Sequence, residues 1–162
     1  MTMGFILNGE DVTVDCNPES AVVDILRDNF NLLGAKTGCN IGACGSCLII
    51  FNENVVKSCL IPALKIRGGE IITIEGFSQT IDYQDIITGF SEAGLEDCGF
   101  CNTGRILATE ALLSHNKAPS REEILSAFNG IRCRCTEPEG LVQGVLAASE
   151  YRRRRLYGHS SK

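Results

Sequence analysis

Nine cysteines stand in this chain of 162 residues, and eight of them fall into two groups whose spacing could hold metal. The first group is Cys39-x4-Cys44-x2-Cys47, followed after eleven residues by Cys59. Thiolate sulfur is a soft ligand, suited to zinc and to iron–sulfur clusters. Three ligands on one loop with a fourth at a distance match plant-type [2Fe–2S] spacing. Such a cluster is anionic, and the donors nearest to it are backbone N–H groups, which can approach only where side chains are small. Gly38, Gly42 and Gly45 are therefore candidate cradle positions, with Ala43 and Ser46 also small. Four-cysteine zinc is the competing reading, although zinc sites commonly join two C-x2-C knuckles.

The second group is Cys98-x2-Cys101 and, 31 residues on, Cys133-x-Cys135. Each pair precedes a predicted helix, where the dipole and free N–H groups favour thiolate. From the residues alone, iron–sulfur, zinc and a redox-active dithiol all fit this set. Cys16 has no cysteine neighbour and reads as a small, half-buried residue. His115 and His159 have no ligand-spaced partner and read as structural or solvent-facing. No Ser-His-Asp set, HExxH or phosphate loop occurs, so the sequence offers no catalytic acid–base constellation.

The elements that must position these thiols divide at about Gly76. Before it, GFILNGEDVTVD reads as a hairpin turning at Asn8-Gly9. PESAVVDILRD reads as a short helix capped by Ser20, with Val22, Ile25 and Leu26 on one side. LIIFNENVVKSC is a second hairpin around Asn52–Asn54, delivering Cys59 at its end, and GGEIITIEG supplies another strand. After Gly76 the periodicity is helical. IDYQDIITGFSEAG, TGRILATEALLSHN, PSREEILSAF and LVQGVLAASEYRRRRL predict four helices. The third opens with the capping-box spacing Ser120-x-x-Glu123, and the last offers Leu141, Val145, Leu146 and Ala148 to a core. The expected fold class is α+β, with domains at 1–77 and 78–162. Each half is small enough to need a staple, and the cysteines divide four to each half.

The remaining features mostly exclude. Hydrophobic residues make up 44% and charged residues 22%, a globular composition. A pI near 5.1 gives no general reason to expect nucleic-acid binding. No apolar run is long enough to span a membrane. The N-terminus lacks the marks of a signal peptide, and abundant thiols then suggest a cytoplasmic location. Charge is uneven: residues 152–162 hold five of the 15 Lys and Arg and no acid. Arg152 to Arg155 read as the solvated end of a helix, with docking to an acidic partner and, behind it, nucleic-acid contact as the alternatives.

Taken together, CNIGACGSC…KSC and CGFC…IRCRCT resemble the small iron–sulfur subunit of the molybdenum hydroxylases, the xanthine dehydrogenase, aldehyde oxidoreductase and carbon monoxide dehydrogenase types. The resemblance covers about residues 4–150. It implies an N-terminal β-grasp, plant-type ferredoxin-like domain followed by a C-terminal four-helix bundle, each with one [2Fe–2S] cluster. It implies Cys39, Cys44, Cys47 and Cys59 as ligands of the first and Cys98, Cys101, Cys133 and Cys135 as ligands of the second. It also implies electron transfer from a large molybdopterin-binding subunit, past a Cys135 contact to the pterin, towards FAD in a medium subunit, within a heterotrimer or a dimer of heterotrimers. Three departures flank the second set: Asp97 stands where the family has Gln, Asn102-Thr103 replace Thr-Pro, and Glu137-Pro138 follow CRCT. They suggest a divergent large subunit. A zinc-stabilised scaffold and a free-standing two-cluster ferredoxin are the alternative readings.

Overall fold

A computed structural model describes residues 1–95 and 98–158. Asp97 and His159 lie outside the described residues. The chain begins with antiparallel β1 (Thr2–Leu7) and β2 (Glu10–Asp15), in register Leu7 to Glu10 and Thr2 to Asp15. Two residues join them, Asn8 at φ 52° and Gly9 at φ 86°, the left-handed pair that matches strand twist in a tight hairpin. The Asn8 side chain then holds Thr73, accepting from its N–H at 2.8 Å and donating to its hydroxyl at 3.1 Å. A second hairpin, β3 (Leu48–Phe51) and β4 (Asn54–Lys57), turns at Asn52 and Glu53, both at positive φ. With β5 (Glu70–Ile72) these strands make one mixed sheet in the order β2-β1-β5-β3-β4, in which β1 and β5 run parallel.

Each face of the sheet has its own core. Met3, Phe5 and Leu7 alternate along β1 and, with Val14, Ile49 and Ile71, pack on helix α1 (Val22–Asp28) through Val22, Val23, Ile25 and Leu26. The other face of β3, β4 and β5 carries Leu48, Ile50, Val55 and Ile72 into the helical half. Leu48 to Phe51 and the pair Ile71 and Ile72 thus supply cores on both sides of the sheet, which ordinary alternation would not require. The expected Ser20 cap is not formed. Ala21 is the N-cap of α1 and has no side-chain cap bond, because Ser20 lies one residue too early and its carbonyl instead accepts from Ala63 N–H.

After a one-turn α2 (Ile74–Phe77), the bundle consists of α3 (Ile81–Glu92), α4 (Asn102–His115), α5 (Arg121–Ala127) and α6 (Pro138–Tyr157). Helices α3 and α6 cross closely at Gly89, where an added Cβ would lie 2.3 Å from the Ala148 nitrogen. The Ser120/Glu123 capping box forms as the spacing predicts. Leu141, Val145 and Ala148 are buried, but Leu146 is exposed on the far side of α6. Arg152 and Arg155 are not the solvated helix end that their charge suggests. Three residues apart, they share the face toward α3 and α4, where Arg152 meets Glu110 at 2.5 Å and Arg155 meets Asp85 at 2.7 Å. Arg153 and Arg154 alone of the four are exposed.

Candidate metal centres

The loop from Gly38 to Cys47 wraps its backbone around sulfur. Ala43 and Cys44 donate their N–H groups to the Cys39 sulfur at 3.1 and 3.3 Å. The Ile41 N–H, with these two, holds the Cys39 thiol at about 6, well below its ordinary 9.0 and against its partial burial. Gly42 and Gly45 sit at φ +72° and +73°, which side-chain-bearing residues avoid. At Gly38 a Cβ would come within 2.9 Å of the Cys44 sulfur and 2.7 Å of the Ser46 hydroxyl. Only at Gly38 does sulfur lie beside the missing side chain; a Cβ at Gly42 would meet the Leu60 side chain at 2.5 Å, and one at Gly45 the Gly130 carbonyl oxygen at 2.6 Å. Lys57 adds a cation, its ammonium bonded to the Gly42 carbonyl. The fourth thiol, Cys59, sits just beyond the hairpin strand, in the single 3-10 turn Ser58–Leu60 that follows β4. The Ser58 hydroxyl fixes that turn by donating to the Cys47 carbonyl at 2.6 Å.

In the helical half Cys101 is the N-cap residue of α4 and is buried, while Cys98 is exposed. Cys133 and Cys135 precede α6, half-buried and exposed respectively. Of the family departures, Asn102 and Thr103 form the first turn of α4, and Glu137 and Pro138 are the N-cap and first residue of α6. Proline is well placed there because its missing N–H is not needed.

The thiols meet two by two. Cys39 hydrogen-bonds Cys44, and Cys47 bonds Cys59. Cys98 bonds Cys135, and Cys101 bonds Cys133. Burial and its bond to Cys47 raise Cys59 to about 11; burial and its bond to Cys133 push Cys101 up to about 12. Donation to Cys98 raises Cys135, while the Phe100 N–H and Cys135 lower Cys98. Burial opposes ionisation of Cys133, but bonds from Cys101, from the backbone of Cys135 and Thr136, and from the Thr136 hydroxyl prevail and lower it. One member of such a pair accepts and the other still holds its proton, which a metal must displace. Among the described residues no three Cys, His, Asp or Glu side chains converge on one ion position. Two sulfurs plus two sulfurs is the arrangement a two-iron cluster needs, because each iron takes two thiolates and shares the bridging sulfides. The donor chemistry, the small-residue cradle and this pairing all fit that group.

The two sites adjoin. The loop carrying Cys44 docks on the bundle so closely that a Cβ at Gly104 would lie 2.3 Å from the Gly45 carbonyl oxygen. The Arg132 N–H donates to the Cys44 carbonyl at 3.0 Å. Phe100, half exposed, lies against Gly38 across the same seam. Sequence reading passed over four residues of these sites: Lys57, Phe100, Thr136 and Arg105. Arg105 is 2% exposed, and the only hint of it was a cation inside the apolar run of α4. Cys16 is half-buried at the edge of the α1 core, and His115 is exposed with its Nδ1 2.8 Å from the Ala111 carbonyl oxygen.

Comparison with known proteins matches both halves. Residues 5–69 fit the 2Fe-2S iron-sulfur cluster binding domain and residues 73–146 the [2Fe-2S] binding domain. The nicotinate dehydrogenase small FeS subunit of Eubacterium barkeri is 39% identical over 84% of this chain and 87% of its own. A chain of quinoline 2-oxidoreductase from Pseudomonas putida superposes with a TM-score of 0.84 at 34% identity, covering 94% of this chain and 96% of that one. The aldehyde oxidoreductase of Desulfovibrio desulfuricans superposes at 0.83 and 32% identity, where 97% of this chain matches 17% of a much longer one. The α+β fold, the two [2Fe–2S]-binding halves and these relatives agree: the chain belongs to the family of small iron–sulfur subunits of the molybdenum hydroxylases.

Proposed function

We propose that this chain is the electron-transfer subunit of a multi-subunit, molybdenum-hydroxylase-type oxidoreductase. It relays electrons from a molybdopterin subunit through two [2Fe–2S] clusters towards FAD. One observation carries the reading: eight cysteines pair off in two foursomes, each gathered from separate segments of the chain, whose loops meet at the Cys44–Arg132 hydrogen bond. Cys39, Cys44, Cys47 and Cys59 would hold the first cluster in a domain spanning 1–77. Cys98, Cys101, Cys133 and Cys135 would hold the second in a domain spanning 78–162. Gly38, Gly42 and Gly45 would cradle the first. The clusters supply one-electron chemistry; the chain supplies thiolates, N–H donors and a dry partition between them.

Two surfaces support contact with two neighbours. Exposed Cys135 opens on a groove lined by Ala93, Leu95, Thr136 and Glu137. There a large molybdopterin-binding subunit would dock, with the Cys135 sulfur against the pterin. Ile41 and Leu60, 75% and 57% exposed, flank the other foursome and would face an FAD-binding medium subunit. The assembly would be a heterotrimer or a dimer of heterotrimers. No helix among the described residues is long and apolar enough to cross a membrane. A cytoplasmic location is proposed because eight cysteines assigned as cluster thiolates suit a reducing compartment.

Metal analysis with EPR on the anaerobically purified complex tests the reading. Two distinct [2Fe–2S] signals, with molybdenum in a co-purifying subunit, are expected. Colourless protein holding zinc would replace it with a structural scaffold, and a brown chain that purifies alone would make it a free-standing ferredoxin.

A further inference from the structure

Arg105 is the largest fully buried side chain among the described residues. Its guanidinium stays protonated in any protein setting, and burying such a charge without an opposing one is costly. Among the described residues it forms no ion pair with a carboxylate. Arg152, the other buried arginine, shows the contrast, with Glu110 at 2.5 Å and Asp82 at 3.4 Å. Among the described residues Arg105 has instead one side-chain partner, Thr136, whose hydroxyl accepts from Nη1 at 2.5 Å, and its Nε is left without one. Thr136 in turn bonds the Cys133 sulfur. The backbone N–H of Arg105 donates to the Cys101 carbonyl at 3.1 Å. The arginine's field reaches Cys101 and Cys135, favouring their ionised forms. Among the described residues, these side-chain and charge partners are thus ligand positions of one foursome and the threonine beside them.

We propose that Arg105 is the built-in counter-charge of the Cys98–Cys101–Cys133–Cys135 cluster and raises its reduction potential selectively. The inference rests on those four cysteines holding a [2Fe–2S] cluster. Two ferric ions, two sulfides and four thiolates sum to a charge of minus two, and one added electron makes it minus three. No bond breaks and no proton moves in that step. A fixed cation nearby stabilises the reduced form more than the oxidised one, because the charge it opposes has grown. The Arg105–Thr136–Cys133 relay adds to this by aiming a polarised hydroxyl at a ligand sulfur. Arg105 is a positioning and tuning residue, not a ligand.

The test is an EPR-monitored redox titration of the purified complex, with dithionite as reductant and ferricyanide as oxidant. Wild type, R105Q, R105K and T136V are compared. R105Q is expected to lower the midpoint of the bundle cluster by at least 59 mV, a tenfold change in its oxidised-to-reduced ratio, while the other cluster's midpoint stays in place. R105K stays near wild type, and T136V shifts less than R105Q in the same direction. An unchanged bundle midpoint in R105Q, an equal shift of both clusters, or an R105K as low as R105Q would overturn the proposal. Should R105Q lose the cluster, iron and sulfide per chain decide: retention in R105K supports a charge role, and equal loss in both overturns it. A wild type with no bundle-cluster signal would instead refute the cluster itself.

Discussion

The backbone N–H of Arg132 donates to the carbonyl of Cys44 at 3.0 Å, although 88 positions separate the two in the chain. One end of this bond is a thiol-bearing residue of the first foursome. The other is the residue immediately before Cys133 of the second. The Cys44 loop lies flush on the bundle here: a Cβ on Gly104 would meet the Gly45 carbonyl oxygen, and one on Gly45 the Gly130 carbonyl oxygen.

That contact can be broken with one methyl group. G104A places a Cβ 2.3 Å from the Gly45 carbonyl oxygen, a backbone atom that cannot swing aside. Overpacking of this kind costs about 1–3 kcal/mol. Reduced stability in chemical denaturation is expected, together with weaker magnetic interaction between the clusters by EPR power saturation. A G104A protein indistinguishable from wild type in both would show that the seam is loose.

Iron content separates ligands from bystanders. C44A and C135A should each halve the metal, from about four irons per chain to about two, each removing a different EPR signal. C16A should retain the full complement, since Cys16 packs at the edge of the α1 core rather than in either foursome. Iron, sulfide and EPR spin counts on the three variants check this.

In the chain stripped of metal, the thiols should ionise in a set order. Cys39, held at about 6 by N–H groups, is mostly thiolate at neutral pH, so its alkylation should rise through pH 6 and then level off. Cys59 and Cys101, raised to about 11 and 12, should still be protonated there and react last. Mass-spectrometric mapping of iodoacetamide adducts between pH 5 and 8 gives the order, and preferential labelling of Cys59 at pH 7 would contradict it.

The arginines of α6 should differ sharply in what they contribute. R152M leaves the largely buried Glu110 without its cation, while Asp85 keeps Arg155, and a broken buried pair of this kind costs about 3–5 kcal/mol. R154M removes an exposed pair with Glu150 and should cost less than about 1 kcal/mol. Denaturant midpoints of the two variants, at low and high salt, measure the difference.

Local chemistry was legible in the residues. The Asn8-Gly9 turn, the Ser120/Glu123 capping box and the helix-leading position of the second cysteine pairs all follow from short-range preferences, because a turn or cap is decided within four or five residues. The spacing of Cys39, Cys44 and Cys47 pointed to the first foursome, since a loop that short leaves a metal few other ways to collect three thiols; the second set was legible only through the family resemblance. Tertiary packing decided the rest. Nothing within the RRRR run distinguishes Arg152 from Arg153; only the α3 and α4 carboxylates do. Arg105 reads as one more helical cation until the fold seals it beside Cys101 and Thr136. The joining of two apparent halves through Leu48, Ile50 and Ile72, and through Cys44 and Arg132, depends on surfaces brought together from across the chain. Such contacts leave no periodicity behind, and so no linear pattern could announce them.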